Sequence, residues 1–358
     1  MTGHTDAVVE RNFNRWLERV QDNPVRFLSR AENDEGSGVS RAFFLDVRDA
    51  QHFASTRLRW SSNVPLRALD EGAAYLIPPR TARFALICDA DANVDEAAKK
   101  FESDFKGVAW SLEAAFAGTP AFFDACAAID ESDATESKYN GLFEVVRGGG
   151  TPAPRDRLRL WQPSPELARW LPSVEHKMDA FKDGRRPTCL DVGSGAGRDA
   201  VWVASRGWNV VAIDNDKRGL DRCRSLAERH GVEASVRTLD LDLNKRASEE
   251  TLATIDKILA LESWSPVLAV YAVRYLHKPF VRDLPRMLPN RSAVLWFHFM
   301  RGCERTSVGR PTKDRDLLEP NELRDVFALW DVIIDDVVEL PDGRPVSSFA
   351  VVRGAKEV

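Results

Sequence analysis

The sequence predicts an α/β protein built from two domains, and three observations support this fold class. A strand, a glycine turn, a helix and a second strand follow one another between residues 189 and 216, in an order typical of a parallel nucleotide-binding sheet. Strands and helices also alternate between residues 42 and 118, and a polar, glycine- and proline-rich stretch separates the two regions. A chain of 358 residues is long enough for two such domains.

The glycine turn lies in the stretch CLDVGSGAGRDAVWVASRGWNVVAIDND, residues 189–216. Its first apolar run, 189–192, is short and reads as a buried parallel strand. The alternate glycines that follow lack a Cβ, so a ligand can approach the backbone closely. Asp214 ends the second strand, where an acid can accept hydrogen bonds from ribose hydroxyls. The stretch therefore predicts a nucleotide site.

The spacing of the turn indicates which nucleotide it takes. A dinucleotide fingerprint is G-x-G-x-x-G, but here the third glycine comes one residue early, at Gly197, and Arg198 holds the expected position. Asp191 precedes the turn and would repel a phosphate, whereas it suits a cationic ligand. S-adenosylmethionine carries a sulfonium and an amino group, both positive. The motif resembles that of class I S-adenosylmethionine-dependent methyltransferases.

This resemblance implies a Rossmann-like, seven-stranded domain with an antiparallel last strand, over residues 159–358. It implies a cofactor site in which the acid after the third strand contacts the adenine amino group and its neighbour packs on the ring. The cofactor residues expected from it are Asp191, Gly193, Ser194, Gly195, Gly197, Asp214, Asn215, Asp240, Leu241 and Ala272. A helix capped by Ser164, with Pro165 in its first position, is expected to cover the cofactor or only to pack on the sheet.

Three further motifs resemble the small-molecule and tellurite-resistance branch of these enzymes. They are Gly-Arg-Asp-Ala after the glycines, Tyr-Leu-His after the fourth strand, and Gly-Arg-Pro followed by Leu-Leu-Glu-Pro-x-Glu-Leu after the fifth. The last of these is expected to begin a helix that ends near Trp330. The resemblance implies a small-molecule acceptor and does not identify it.

The acceptor is expected at the exits of strands four and five, because ligands of open α/β sheets sit beyond the carboxyl ends of the strands. His277 and Tyr275 are the candidate catalytic residues, since a nitrogen or oxygen acceptor would benefit from a base. His298, Arg301 and Arg310 are candidate substrate residues. If the acceptor is already an anion, positioning alone suffices and the histidines are structural.

The first half of the chain resembles a rhodanese domain over residues 39–126. The motifs are Leu-Asp-Val-Arg at 45–48, Asn-Val-Pro at 63–65, and Cys88 at the end of the central strand. The resemblance implies a persulfide-carrying cysteine. Asp89 and Asp91, however, would raise the pKa of the Cys88 thiol and repel an anionic sulfur donor. We therefore expect a retained fold whose sulfurtransferase site is degenerate.

Segments outside these domains are predicted from composition and periodicity. Residues 1–38 should form a helical segment, and residues 127–158 are polar and then rich in glycine and proline, which is typical of a linker. A short strand is expected at 107–110, before residues 111–118 close the rhodanese-like domain. The sequence leaves open whether residues 142–146 form a short strand within the linker.

Composition restricts the remaining possibilities. The net charge of −5 divides into −7 over residues 1–150 and +2 over 151–358, so neither half predicts a nucleic-acid-binding face. No apolar run approaches the ~20 residues of a membrane span, and no signal peptide is recognisable. We expect a cytoplasmic protein with neither a disulfide framework nor a metal site, because its cysteines show no CxxC spacing: Cys88, Cys126, Cys189, Cys223 and Cys303.

Three functions remain open at this point. The first is a methyltransferase with an inactive rhodanese-like domain, which could serve to bind a protein partner. The second is a bifunctional sulfurtransferase and methyltransferase, and the third is a non-catalytic S-adenosylmethionine-binding regulator. The residues after Cys88 oppose the second function, and the complete strand-four and strand-five exits oppose the third.

Overall fold

A computed structural model of the chain describes residues 16, 44–77, 83–103, 110–133, 142–182 and 184–354. The chain divides into two compact units, Met1–Gln162 and Pro163–Val358. Apart from Trp16, the expected helical segment at 1–38 lies outside the described residues. Within the described ranges, no helix combines the length and the apolar character needed to cross a membrane.

The first unit contains a parallel sheet with helices between its strands. Its strands are β1 Phe44–Asp46, β2 Thr56–Leu58, β3 Ser61–Asn63, β4 Arg83–Cys88, β5 Ser111–Ala117 and β6 Val145–Arg147. Its helices are α1 Ala50–Ser55, α2 Leu66–Asp70, α3 Val94–Ser103 and α4 Pro120–Asp133. The parallel sheet has the order β3–β1–β4–β5, and β2 pairs with β6 as an antiparallel ribbon.

The two motifs that open the rhodanese resemblance lie together in this unit. The buried Arg48 guanidinium donates to the buried Asp46 carboxylate, with Nη2 2.6 Å from Oδ2. The Asn63 side-chain amide donates to the backbone carbonyls of Asp46 and Arg48, at 3.0 and 2.9 Å. Both motifs therefore satisfy polar groups at the carboxyl end of β1, as buried groups require.

In two places the first unit adds to what the sequence predicts. The last described strand of the parallel sheet is β5, where Leu112, Ala114 and Phe116 alternate as in a half-buried strand. Of the expected strand, residues 107–109 lie outside the described residues, and Trp110 precedes β5. The linker range 127–158 also holds the end of α4, where Ile129 packs with Cys126 in the core, and the ordered strand β6.

The second unit is a seven-stranded sheet with helices. Its strands are β7 Thr188–Val192, β8 Asn209–Asp214, β9 Val236–Asp240, β10 Val267–Val273, β11 Ala293–Phe299, β12 Asp331–Glu339 and β13 Pro345–Val352. Its helices are α5 Pro165–Met178, α6 Arg198–Ser205, α7 Lys217–Arg229, α8 Ser248–Glu262, α9 Lys278–Met287 and α10 Glu322–Val326.

The order of the second sheet is β12–β13–β11–β10–β7–β8–β9. β13 runs antiparallel to both β11 and β12, and the remaining pairings are parallel. The seven strands and the reversed final strand agree with the expectation from sequence. The carboxyl ends of β7, β8, β9, β10 and β11 consequently lie at one edge of the sheet.

One helix of this unit is shorter than its sequence suggests. The Leu-Leu-Glu-Pro segment does not begin a helix, because Leu317 and Leu318 are buried and Leu318 forms a β-bridge with Met300. The helix α10 starts only at Glu322, after Asn321 adopts a left-handed φ of 64°. Residues 317–321 therefore belong to the loop after β11 and not to the expected helix.

Candidate functional site

The glycine turn follows β7 at the edge where the parallel strands end. Gly193, Gly195 and Gly197 all have left-handed φ angles, of 78°, 52° and 76°. A Cβ on Gly193 would lie 2.4 Å from the Tyr275 side chain, and one on Gly197 would lie 2.2 Å from Cys223 Sγ. A Cβ on Gly195 would meet no atom of the described residues within 4 Å. The turn is thus tightly packed at its two ends and open at its centre.

Asp191 is a buried acid directly before this turn. Its side chain has no counter-charge, and Oδ2 has no hydrogen-bond partner within the described residues. Burial raises the pKa of Asp191 well above its usual range, Asp199 and Asp214 raise it further, and the Tyr271 hydroxyl opposes them. A cationic group bound in the turn would stabilise the charged form of this buried carboxyl.

A second acid, the half-buried Asp199, connects the turn to the start of α5. Its Oδ1 accepts a hydrogen bond from the backbone N–H of Ser164 at 2.6 Å. Ser164 is the N-cap of α5 and Pro165 is its first residue, as the sequence predicts. Burial raises the pKa of Asp199 to about 6. This hydrogen bond fixes the beginning of α5 beside the helix that follows the glycine turn.

Asp214 ends β8 and holds the turn through its carboxylate. Oδ2 accepts from the Gly195 N–H at 2.8 Å, and Oδ1 accepts from the Asp216 N–H at 2.9 Å. Asp214 pairs in register with Asp240 at the end of β9. Because a carboxylate can accept about four hydrogen bonds, Asp214 keeps capacity for ligand hydroxyls.

The other expected cofactor residues surround these acids. Asp240 is exposed, and its Oδ2 lies 3.4 Å from Lys217 Nζ. Leu241 is buried, and its N–H donates to the Asp214 carbonyl at 3.0 Å. Ser194 lies in the turn and Asn215 is exposed just beyond β8. Ala272 is a buried residue within β10, rather than beyond its end.

A cavity of about 800 Å³ lies beyond the ends of β10 and β11. Tyr275 lines it and also packs against Gly193, so the cavity adjoins the glycine turn. Burial and two nearby carboxylates raise the pKa of the Tyr275 phenol to about 12. The lining residues are Asn244, Arg274, Tyr275, Leu276, His277, Lys278, Pro279, His298, Phe299, Arg310, Pro311, Arg315, Asp316 and Arg344.

The part of the chain around the glycine turn is similar to a known family. The family described as a methyltransferase domain matches residues 189–277, from β7 through the glycine turn to the exit of β10. Residues 189–277 are therefore similar to a methyltransferase domain. The match is consistent with S-adenosylmethionine as its cofactor.

Individual relatives of the chain are distant. It is 22% identical over 331 residues to the uncharacterized protein UNK4.09 of Schizosaccharomyces pombe, a match that covers 84% of this chain and 91% of that protein. The structure of TehB from Haemophilus influenzae is 14% identical with a TM-score of 0.36, and the match covers 51% of this chain and 62% of TehB.

A third comparison is with 1,6-didemethyltoxoflavin-N1-methyltransferase from Burkholderia thailandensis. It is 13% identical with a TM-score of 0.36, over 66% of this chain and 91% of that enzyme. The chain therefore spans less than two thirds of TehB but most of the toxoflavin enzyme. At these identities and TM-scores, the solved structures carry no conclusion about the substrate.

The two candidate histidines of the second unit have different hydrogen bonds. His277 is the N-cap of α9, and its Nδ1 accepts from the Phe280 N–H at 3.3 Å. In neutral His277 the proton must then sit on Nε2, which makes Nε2–H a donor. His298 Nε2 lies 3.1 Å from the Asp316 carbonyl, and burial lowers the pKa of His298 to about 4. His298 is thus neutral at pH 7, with its proton on Nε2.

The candidate arginines have different surroundings in the structure. Arg310 lines the cavity, as expected, and so does Arg274. Arg301 does not, and its guanidinium pairs with Glu319 and Asp314 on the neighbouring loop. Arg344 lines the cavity from the turn before β13 and was missed, because its sequence distance from the strand exits gave no signal.

In the first unit, Cys88 is buried at the end of β4. Burial raises the pKa of the Cys88 thiol to about 12, and Asp46 and Asp89 contribute in the same direction. Asp89 also accepts from the Asp49 N–H and lies 2.6 Å from His52 Nδ1. A thiol in these surroundings is protonated at neutral pH and is a poor nucleophile.

Proposed function

We propose that the chain is an S-adenosylmethionine-dependent methyltransferase that acts on a small molecule. The observation that carries the proposal is Asp191, a buried carboxyl with an unpartnered oxygen directly before an open glycine turn. A dinucleotide would place anionic phosphates beside this acid, whereas a sulfonium or amino group would supply the positive charge that it lacks. The family match over residues 189–277 supports the same cofactor.

The cofactor contacts follow from the order of strands at this edge of the sheet. Asp191 would accept from the charged amino end of the cofactor, while the remaining lone pairs of Asp214 would accept from ribose hydroxyls. Asp240 lies beside Asp214 in the sheet and would contact the adenine amino group. The open space over Gly195 leaves room for the bound molecule against the backbone.

The acceptor would occupy the cavity beyond β10 and β11. S-adenosylmethionine supplies an activated methyl group when bound, so the protein has to hold the acceptor in line and exclude water. Tyr275 connects the cavity to the glycine turn, and His277 lines the same wall. The Nδ1 of His277 is occupied by its cap hydrogen bond, so His277 would orient an acceptor through Nε2–H rather than act as a base.

For the first unit, we propose a rhodanese-like domain without sulfurtransferase activity. The buried pair of Asp46 and Arg48, held by Asn63, supports the relation to that family. The buried, protonated Cys88 supports the loss of activity. The bifunctional alternative needs a reactive thiolate, which these surroundings oppose.

Asp191→Asn tests the cofactor site. The variant keeps the shape of the side chain but cannot become negative, so we expect S-adenosylmethionine to bind at least tenfold more weakly, or about 1.4 kcal/mol. Folding stability should change little, because burial raises the pKa of Asp191 well above its usual range and already opposes its charged form in the free protein. The measurements are titration calorimetry and thermal unfolding.

Asp336→Asn is the matched control, since Asp336 is an exposed acid on β12. This variant should bind the cofactor like the wild type. Equal affinity in wild type and Asp191→Asn would remove Asp191 from the site. A wild-type chain that does not bind S-adenosylmethionine would refute the proposed function.

A further inference from the structure

We infer that the methyl acceptor is an organic anion: a small molecule whose carboxylate, phosphate or sulfonate is held by Arg274 and Arg310. Its apolar body lies against Phe299 and Pro311 in the cavity beyond β10 and β11. The inference rests on the proposed methyltransferase function and adds the chemical class of the substrate.

The charge of the cavity lining is the first argument. Five cationic side chains line it, against one carboxylate. Three of the five already have a carboxylate within 4 Å: Lys278 with Glu322 at 2.7 Å, Arg344 with Asp342 at 2.7 Å, and Arg315 with Asp316 at 3.7 Å. Arg274 and Arg310 form no ion pair with any carboxylate of the described residues. Asp199 and Asp342 interact with Arg274 only at longer range, so two guanidinium groups without a direct carboxylate partner among the described residues favour an anionic ligand at this cavity.

The neutral groups of the lining point to the same class. The Tyr275 phenol, with its pKa raised to about 12, is a hydrogen-bond donor at neutral pH. His277 also presents a donor, because its Nδ1 accepts from Phe280 and leaves the proton on Nε2. An anion accepts hydrogen bonds from neutral donors as well as from cations. The recognised group is already deprotonated, so its binding requires no base.

The backbone at Arg274 provides an independent argument. Arg274 follows β10 with a left-handed φ of 59°, and its N–H donates to the Phe297 carbonyl at 2.7 Å. Glycine adopts this conformation with less strain than any other residue. An arginine at such a position, with its side chain at the cavity, indicates a role that depends on the guanidinium.

The size and apolar lining of the cavity exclude a bare inorganic oxyanion as the best fit. About 800 Å³ is within the range of pockets for small organic ligands. Leu276, Pro279, Phe299 and Pro311 contribute apolar surface to it. An organic body would cover this surface, whereas an inorganic ion would leave it in contact with water.

The test compares ligands that differ in charge and size. Phenylacetate, phenyl phosphate, benzenesulfonate, neutral phenylacetamide and inorganic phosphate are titrated into the intact chain, with binding followed by NMR. At least one of the three aromatic anions should bind at least tenfold more tightly than phenylacetamide and inorganic phosphate. The anion that binds best distinguishes carboxylate, phosphate and sulfonate as the recognised group.

Arg274→Gly is the decisive variant, because glycine relieves the left-handed backbone and should preserve folding. It should weaken binding of the preferred anion at least tenfold without lowering the unfolding temperature. Arg291→Gly is the matched control, since Arg291 has a φ of 65°, is exposed and lies outside the cavity lining. It should leave anion binding unchanged.

Three results would overturn the inference. They are equal binding of phenylacetamide and the anions, no binding of any aromatic anion, or unchanged binding in Arg274→Gly. Inorganic phosphate binding as tightly as the aromatic anions would also contradict the organic part. Binding of S-adenosylhomocysteine is measured on the same samples, so that failure of the cofactor site is seen separately from failure of the acceptor site.

Discussion

At the scale of single residues, two buried carboxyl groups of the second unit show what distinguishes a site from a structural ion pair. Glu175 is buried on α5, but it pairs with Arg206, and Trp208 Nε1 donates to it at 2.8 Å. Asp191 is also buried, but in the part of the chain that the structure describes one of its oxygens has no hydrogen-bond partner and no cation pairs with it. Burying an acid without a partner lowers stability. The missing positive charge is what the cofactor would provide.

His277 gives the prediction at this scale. Because its Nδ1 caps α9, His277→Ala should lower the free energy of unfolding by about 1 kcal/mol, the usual loss for a missing cap. His277→Asn should retain most of that stability, since asparagine is a strong N-cap. Denaturant unfolding of both variants measures this. Unchanged stability in His277→Ala would show that the cap is not what keeps the histidine in place.

At the scale of elements, the glycine turn is fixed from three directions. Tyr275 packs on Gly193, Cys223 packs on Gly197, and the Asp214 carboxylate holds the Gly195 N–H. Within the described residues, no atom lies within 4 Å of the position that a Cβ on Gly195 would take. The turn is therefore preorganised before any ligand binds, which reduces the ordering that binding requires.

A pair of alanine substitutions tests this arrangement. Gly197→Ala places a Cβ against Cys223 and should destabilise the fold by about 1–3 kcal/mol through overpacking, in addition to backbone strain. Gly195 also has a left-handed φ, but the position that a Cβ would take there is open. Gly195→Ala should therefore lower the free energy of unfolding by about 1 kcal/mol or less and mainly weaken cofactor binding. Denaturant unfolding and calorimetry separate the two effects. A Gly195→Ala variant with full cofactor affinity would place the cofactor elsewhere.

The elements that sequence predicted well are those with a strong local signal. The strands β7 and β8 combine short apolar runs with adjacent glycines, and both lie within a residue of the expected ranges. The strand β5 was not predicted, because the apolar run that ends at Trp110 is the stronger local signal and the alternation begins only at Ser111. The sequence predicts a helix where the loop after β11 lies, because the β-bridge between Leu318 and Met300 is a contact that a local sequence pattern does not show.

At the scale of the whole molecule, the site is assembled from segments far apart in sequence. Apart from Ala272, the proposed cofactor residues come from one continuous stretch, 189–241, in which motif spacing predicted Asp191 and Asp214 and the family resemblance implied Asp240. The acceptor side draws on Arg274, Arg310 and Arg344, which three separate loops bring to one cavity. Arg301 resembled Arg310 in sequence, but its two carboxylate partners are visible only in the folded chain.

The measurement that tests the central claim most directly is the choice between S-adenosylmethionine and NAD⁺. Both are titrated calorimetrically into the intact chain under the same conditions. We expect S-adenosylmethionine to bind at least 100-fold more tightly, about 2.7 kcal/mol, because Asp191 attracts a cation and repels a pyrophosphate. NAD⁺ binding as tightly as S-adenosylmethionine, or more tightly, would contradict the account.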